Sequence, residues 1–238
     1  MTADAGGHAA RPRRFALLLS LAVILAAWGW ALWRQLGPGE APAPGSVREL
    51  TLFVTVRAVV VLALVVALLR ANGERLADLG FGARPVRESW LRGLLLAAGL
   101  FVLINIVLNS ALQALGVPGK PEAVPALFRD PREAPLWVWI AVVGGGFTEE
   151  LQRAFVITRF ERQWGRTGLV LGIAADSVMF GLGHSYQGLL AMIGCGLSGL
   201  LYALIFLRRR RVADAMAAHA GFDLLSAAAA YALYGRGG

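Results

Sequence analysis

Residues 50–69 read LTLFVTVRAVVVLALVVALL, and Arg57 is the only charged side chain among them. An α-helix of about 20 apolar residues rises far enough to cross roughly 30 Å of hydrocarbon. A helix that is apolar on every side has no face to offer to water, so this stretch belongs in lipid or in the interior of a large core. The flanking sequence decides between the two. Similar runs stand on both sides, at about Phe15 to Trp33 and about Trp90 to Leu115. Four further helices follow at about Leu136–Trp164, Thr167–His184, Gly188–Leu207 and Val212–Leu233. The chain is 57% hydrophobic and 16% charged, against about half and a quarter for an ordinary soluble domain. Mean hydropathy is +0.62. The expected fold is therefore all-α, a polytopic transmembrane helical bundle of about seven to eight spans, in contact with membrane lipids.

Two proline-rich stretches, Gly37–Gly45 and Pro118–Pro135, interrupt the helical pattern and read as loops. They divide the chain into a basic N-terminal tail (1–14), a segment of N-terminal transmembrane helices and loops (15–135) and a C-terminal helical core (136–238). The first apolar run follows Arg11-Pro-Arg-Arg14, is rich in tryptophan and lacks a small-residue cleavage site. It reads as a retained helix rather than a signal peptide. Met1 to Ala10 are expected to be disordered.

The formal net charge of +8 has an address. Arginines gather at 11–14, at 70–87, at 159–166 and at 208–211, between apolar runs. Cytoplasmic loops carry such an excess of Lys and Arg. All four clusters are expected on the cytoplasmic side, with the N-terminus inside and, for seven spans, the C-terminus outside. The localisation expected is a multi-pass protein of a bacterial cytoplasmic membrane. No aromatic-interleaved basic face exists, so nucleic acid is not a partner. The single cysteine, Cys195, excludes an intramolecular disulfide and a cysteine cluster for zinc.

Ionisable groups inside hydrocarbon are expensive and usually mark function. Three segments carry them. The first is Thr148-Glu149-Glu150-Leu-Gln-Arg153. The second is Asp176 with Phe180-Gly-Leu-Gly-His184. The third is His219-Ala-Gly-Phe-Asp223. Helical spacing puts Glu149 or Glu150 on a shared face with Arg153, lines up Asp176, Phe180 and His184, and pairs His219 with Asp223. One arginine cannot neutralise two adjacent glutamates, which leaves the other suited to general acid or base work. Helix stapling by Glu–Arg pairs and satisfied core histidines are the plain alternatives. A chain that needed only packing has small residues and serines for the purpose, and this one has Gly194, Ser198 and Gly199 as well.

Glu-Glu followed by Arg, Phe-x-x-x-His and His-x-x-x-Asp, in that order, resemble the CPBP family of CAAX-protease and bacteriocin-processing membrane proteins, also called Abi or Rce1-like. The resemblance covers about Leu136 to Leu233, and Leu76-Ala-Asp-Leu-Gly-Phe81 also looks familial. It implies an intramembrane endopeptidase (a hydrolase) acting on a peptide or lipidated protein. Glu149 or Glu150 would activate water, Arg153 would be a structural partner, and His184, His219 and Asp223 would complete the catalytic site. No cofactor is certain. His184 and His219 are candidate ligands of a divalent metal such as zinc. Two departures stand out. Only Leu151 and Gln152 separate the glutamates from Arg153, where the family usually has three residues, so that alignment on Arg153 brings Thr148 to the first glutamate's place. Asp223 stands where the family has Asn.

Other readings compete. Gly196-Leu-Ser-Gly199 is similar to a rhomboid serine-protease motif, with His219 as a base for Ser198. A non-catalytic scaffold or immunity protein, or a transporter with a Glu/His relay, would also use intramembrane acids and histidines. Convergence discriminates between them: a protease needs the histidines and a glutamate around one water-sized point. The depths of the three segments also differ. Counted from Arg166, His184 lies about 27 Å along a helix, which predicts a fifth helix that is tilted, broken near Gly181 and Gly183, or begun later than Thr167.

Overall fold

A computed structural model describes residues 14–36, 45–82, 86–120, 127–128 and 130–235. The basic tail 1–13, Arg84, residues 37–44 of the first proline-rich stretch and residues 121–126 and 129 of the second lie outside the described residues. Among the described residues every regular element is helical. In chain order these are α1 (Arg14–Leu36), α2 (Val47–Ala71), α3 (Val86–Phe101), α4 (Asn109–Ala114), α5 (Ala134–Trp139), α6 (Glu150–Gly183), α7 (Leu189–Arg209) and α8 (Val212–Tyr234). Two π-helical stretches make longer rods of them: Val102–Leu108 joins α3 to α4, and Ile140–Glu149 joins α5 to α6.

Among the described residues four helices are long and apolar enough to cross a membrane: Arg14–Gln35, Val47–Ala71, Arg87–Ala114 and Leu189–Arg209. Between 22% and 33% of each apolar window is buried. Phe15, Leu52, Phe53, Val59, Leu95, Val170 and Val178 stand outward and exposed. So much outward apolar surface needs lipid rather than water around it. Of the expected seven to eight spans, these four stand out by length and composition among the described residues. Helices α6 and α8 fall short because acids, arginines and histidines lower their hydropathy.

The helix α6 is two helices joined by a sharp reversal. Trp164 and Gly165 leave helical geometry, with Gly165 at φ 59°, a left-handed value suited to glycine. Residues 166–183 then fold back on 150–163, and Gly172 lets the two halves approach: a Cβ there would stand 2.9 Å from that of Phe160. The expected break near Gly181 and Gly183 is absent. Helical geometry continues through both residues, and the helix ends at Gly183, with His184 as its C-cap. The reversal near residue 165 is what brings Asp176 back level with Arg153.

Helix α8 is central. From Ala215 to Gly221 every residue is buried, and its small side chains let other helices come close. A Cβ on Gly93 of α3 would overlap Ala217, and one on Gly221 would stand 2.8 Å from the Cβ of Ala97. This small-residue packing is the usual way membrane helices associate without a hydrophobic driving force. On the far side of the bundle, α1 packs on α6 through Trp28 and Phe160, ring centroids 5.8 Å apart. Asn72 at the end of α2 donates to the Ser20 hydroxyl of α1 at 3.1 Å.

Candidate active site

The site grows from the π-helical stretch Ile140–Glu149. Its Gly144-Gly145-Gly146 run is buried and lies directly against neighbouring helices. A Cβ on Gly145 would overlap the Asp223 carboxylate and stand 3.1 Å from His219 Nε2, and one on Gly146 would stand 2.8 Å from Ala220. Three glycines in a row lower helix stability; in return the α8 backbone comes close. Thr148 donates its hydroxyl to the carbonyl of Val143, five residues back, at 2.5 Å. It is thus committed to the wide helical turn and buried. π-turns of this kind are frequent at functional sites.

Beyond that turn the two glutamates diverge. Glu150 is almost wholly buried, its side chain 1% exposed, and it takes the Arg153 Nε–H at 3.1 and 3.2 Å on its two oxygens. Arg153 also donates to Asp176 at 2.5 Å. Its guanidinium lies 4.7 Å from the Phe180 ring centroid and 5.9 Å from that of Tyr202. Gly199 makes room for this hub, since a Cβ there would stand 3.0 Å from Arg153 Nη1. Glu149 faces elsewhere, with 15% of its side chain exposed. Its Oε1 accepts from Arg57 Nη1 of α2 at 2.6 Å. Each glutamate therefore has its own arginine.

His219 joins the two. Its Nδ1 lies 2.8 Å from Glu150 Oε1, so Nδ1–H is the donor to that carboxylate and Nε2 is turned the other way. Nε2 stands 3.8 Å from Glu149 Oε2 and 3.6 Å from Asp223 Oδ2. Tyr202 stacks on the imidazole, centroids 4.3 Å apart and planes 17° apart, which fixes the plane of the ring. His184 caps the end of α6, and its Nδ1–H donates to the Phe180 carbonyl at 2.8 Å. Phe180 stands between the two histidines, edge-on to each, at 4.8 and 5.7 Å.

The residues expected from sequence are thus gathered around the ends of α6, the π-turn and the middle of α8. Ser198 is not one of them. Its hydroxyl donates to the carbonyl of Gly194 within its own helix at 2.9 Å, while His219 is engaged with carboxylates, so the rhomboid-like reading fails. The candidate metal pair lacks a third ligand: among the described residues no group of three or more His, Cys, Asp or Glu is arranged to hold a metal ion. The Glu149 carboxylate is moreover already matched by a guanidinium. These residues do not fit a resident divalent ion. Sequence reasoning missed Arg57 as a site residue, although a lone arginine in an apolar span was its signal. It also missed Tyr202, for which no local signal exists.

No curated protein and no solved structure matches the chain. Residues 131–225 match the family described as Type II CAAX prenyl endopeptidase Rce1-like. That segment runs from the short 3-10 turn before α5 to the middle of α8 and contains Glu149, Glu150, Arg153, His184, His219 and Asp223. Over residues 131–225 this chain is similar to the Rce1-like family, in keeping with its ordered Glu-Glu, Phe-x-x-x-His and His-x-x-x-Asp motifs.

Proposed function

We propose that the protein is an intramembrane endopeptidase that hydrolyses a peptide bond at or within the membrane by glutamate-activated water, with Glu149 as the base. One observation carries this reading. Glu149 Oε2 and Asp223 Oδ2 lie 3.8 and 3.6 Å from the same nitrogen, His219 Nε2. These separations are too long for direct hydrogen bonds and leave the three groups free to hydrogen-bond one water placed beside them. Glu150 is unsuited to the base role, being buried and committed to Arg153 and His219.

In the proposed reaction Glu149 takes a proton from that water as its oxygen attacks the scissile carbonyl. The carbonyl π pair moves onto oxygen. His219, held by Glu150, and His184, held by Phe180, flank the point where that charge develops and stabilise it electrostatically. Collapse of the tetrahedral intermediate re-forms the carbonyl and breaks the C–N bond, and the proton on Glu149 passes to the leaving amine. No step is routed through a metal. Asp223, also beside His219 Nε2, is a second acceptor for that water.

The substrate is proposed to be a membrane peptide or lipidated protein, in keeping with the family. The protein is proposed to lie in a bacterial cytoplasmic membrane with its N-terminus and arginine clusters cytoplasmic. Its helical passages beyond the four apolar spans are proposed to be shielded from lipid by those spans. The test is cleavage of prenylated and unmodified peptides by the purified protein in lipid vesicles, with products identified by mass. Cleavage at one bond, lost in Glu149→Gln and in His219→Ala, is the expected result. Failure of the wild type to cleave either peptide class would turn the reading to a non-catalytic scaffold.

A further inference from the structure

We infer that Arg57, on α2 and outside the family-matched segment, is a positioning residue for Glu149; the inference rests on the peptidase reading above. An arginine at the centre of an isolated span costs about 2.5–3.5 kcal/mol by insertion scales. Arg57 is the one charged side chain in 50–69, and its guanidinium reaches the site. It donates from Nη1 to Glu149 Oε1 at 2.6 Å. The other oxygen, Oε2, is the one that faces His219.

That division of the two oxygens is the substance of the inference. The terminal torsion of a glutamate is broad, so an untethered carboxylate samples many orientations. A guanidinium on one oxygen restricts that rotation and aims the other oxygen toward His219 Nε2. Charge balance alone does not require the aim, since any nearby cation would supply it. Arg153 cannot do the work, because Glu150 and Asp176 already occupy it.

The turn of α2 that bears Arg57 is itself fastened to the site's own helix. Trp139 Nε1–H donates to the Thr55 hydroxyl at 2.9 Å. Five residues further on, Gly144 admits Val54, and a Cβ on that glycine would stand 2.9 Å from Val54 Cγ1. Residues 54–57 are thereby held in register with residues 139–149. Helix α2 acts as a jig for the base, and the catalytic apparatus extends beyond residues 131–225.

The test compares Arg57→Gln and Arg57→Lys with wild type in the vesicle assay, reading kcat and KM separately and checking folding by melting temperature. Positioning groups around a reactive carboxylate are worth about 10- to 100-fold in rate. The expected result is a fall of about that size in kcat for Arg57→Gln, with KM within about twofold, and partial recovery of kcat in Arg57→Lys. A kcat for folded Arg57→Gln within about threefold of wild type would overturn the inference and leave the peptidase reading standing. Should Arg57→Gln not fold, Arg57→Lys decides alone. It keeps the charge but not the fork, so a wild-type kcat in that variant overturns the inference and a reduced one supports it. A wild type without peptidase activity overturns both readings together.

Discussion

His219 Nδ1 stands 2.8 Å from Glu150 Oε1, and that carboxylate is held in turn by Arg153. The second glutamate of the pair is therefore an orienting group for the histidine. Adjacent residues of one type have been given two different tasks by the direction in which each leaves the helix: Glu150 inward to Arg153 and His219, Glu149 toward Arg57 and the point shared with Asp223.

Glu149→Gln and Glu150→Gln should consequently fail in different ways. Glu149→Gln is expected to abolish cleavage while the melting temperature in detergent changes little, because the side chain is partly exposed and a glutamine oxygen can still accept from Arg57. Glu150→Gln leaves a buried arginine with Asp176 as its sole carboxylate. Breaking a buried pair typically costs about 3–5 kcal/mol, and the remaining Asp176 should place this variant at the lower end. Melting curves and initial rates measured on the same preparations check both. Equal melting temperatures with equal rate losses would contradict the division of roles.

Gly145→Ala probes the approach of α8 to the π-turn. The added methyl meets the Asp223 carboxylate and stands 3.1 Å from His219 Nε2. Overpacking of this sort costs about 1–3 kcal/mol. Cleavage is expected to fall at least tenfold, roughly the effect of a displacement of a few tenths of an ångström to 1 Å in a positioned group. Gly183→Ala is the control, since nothing lies within 4 Å of its Cβ position, and it should keep both stability and rate. Should Gly145→Ala cleave like the control, the close approach has no bearing on the reaction.

Removal of metals is expected to leave cleavage unchanged. The described site offers carboxylates already matched to arginines, and no third ligand joins His184 and His219. Incubation with a strong chelator, followed by assay with and without added zinc, makes the comparison. Activity lost on chelation and restored by zinc would require a ligand set that this geometry does not contain.

Orientation can be read by single-cysteine labelling in a Cys195→Ser background. Cysteines placed beside Arg75, Arg162 and Arg210 should react only with reagent admitted to the cytoplasmic side. In the structure these three positions lie near one another: Arg162 pairs with Glu74, and Arg210 with Glu161. Labelling of one of them from the opposite side would break the positive-inside assignment.

The motifs themselves were legible in one dimension because a helix repeats every 3.6 residues. Glu150 with Arg153, and His219 with Asp223, are neighbours by spacing alone, and both pairs stand close in the fold. The long apolar runs likewise declared their helices, since about 20 apolar residues have few other solutions in a membrane. The partners that assign roles were not legible. Arg57 and Glu149 are 92 residues apart, Glu150 and His219 are 69 apart, and Arg153 and Asp176 are 23 apart across a reversal at Gly165. Local spacing says which face a side chain occupies but not which helix will stand opposite it. That choice was made by packing: glycines at 93, 144, 145, 199 and 221 set how closely particular helices approach, and so which charge meets which. The residue types and their order came from the sequence, whereas only the tertiary structure separated the glutamate that Arg57 holds from the one that holds the histidine.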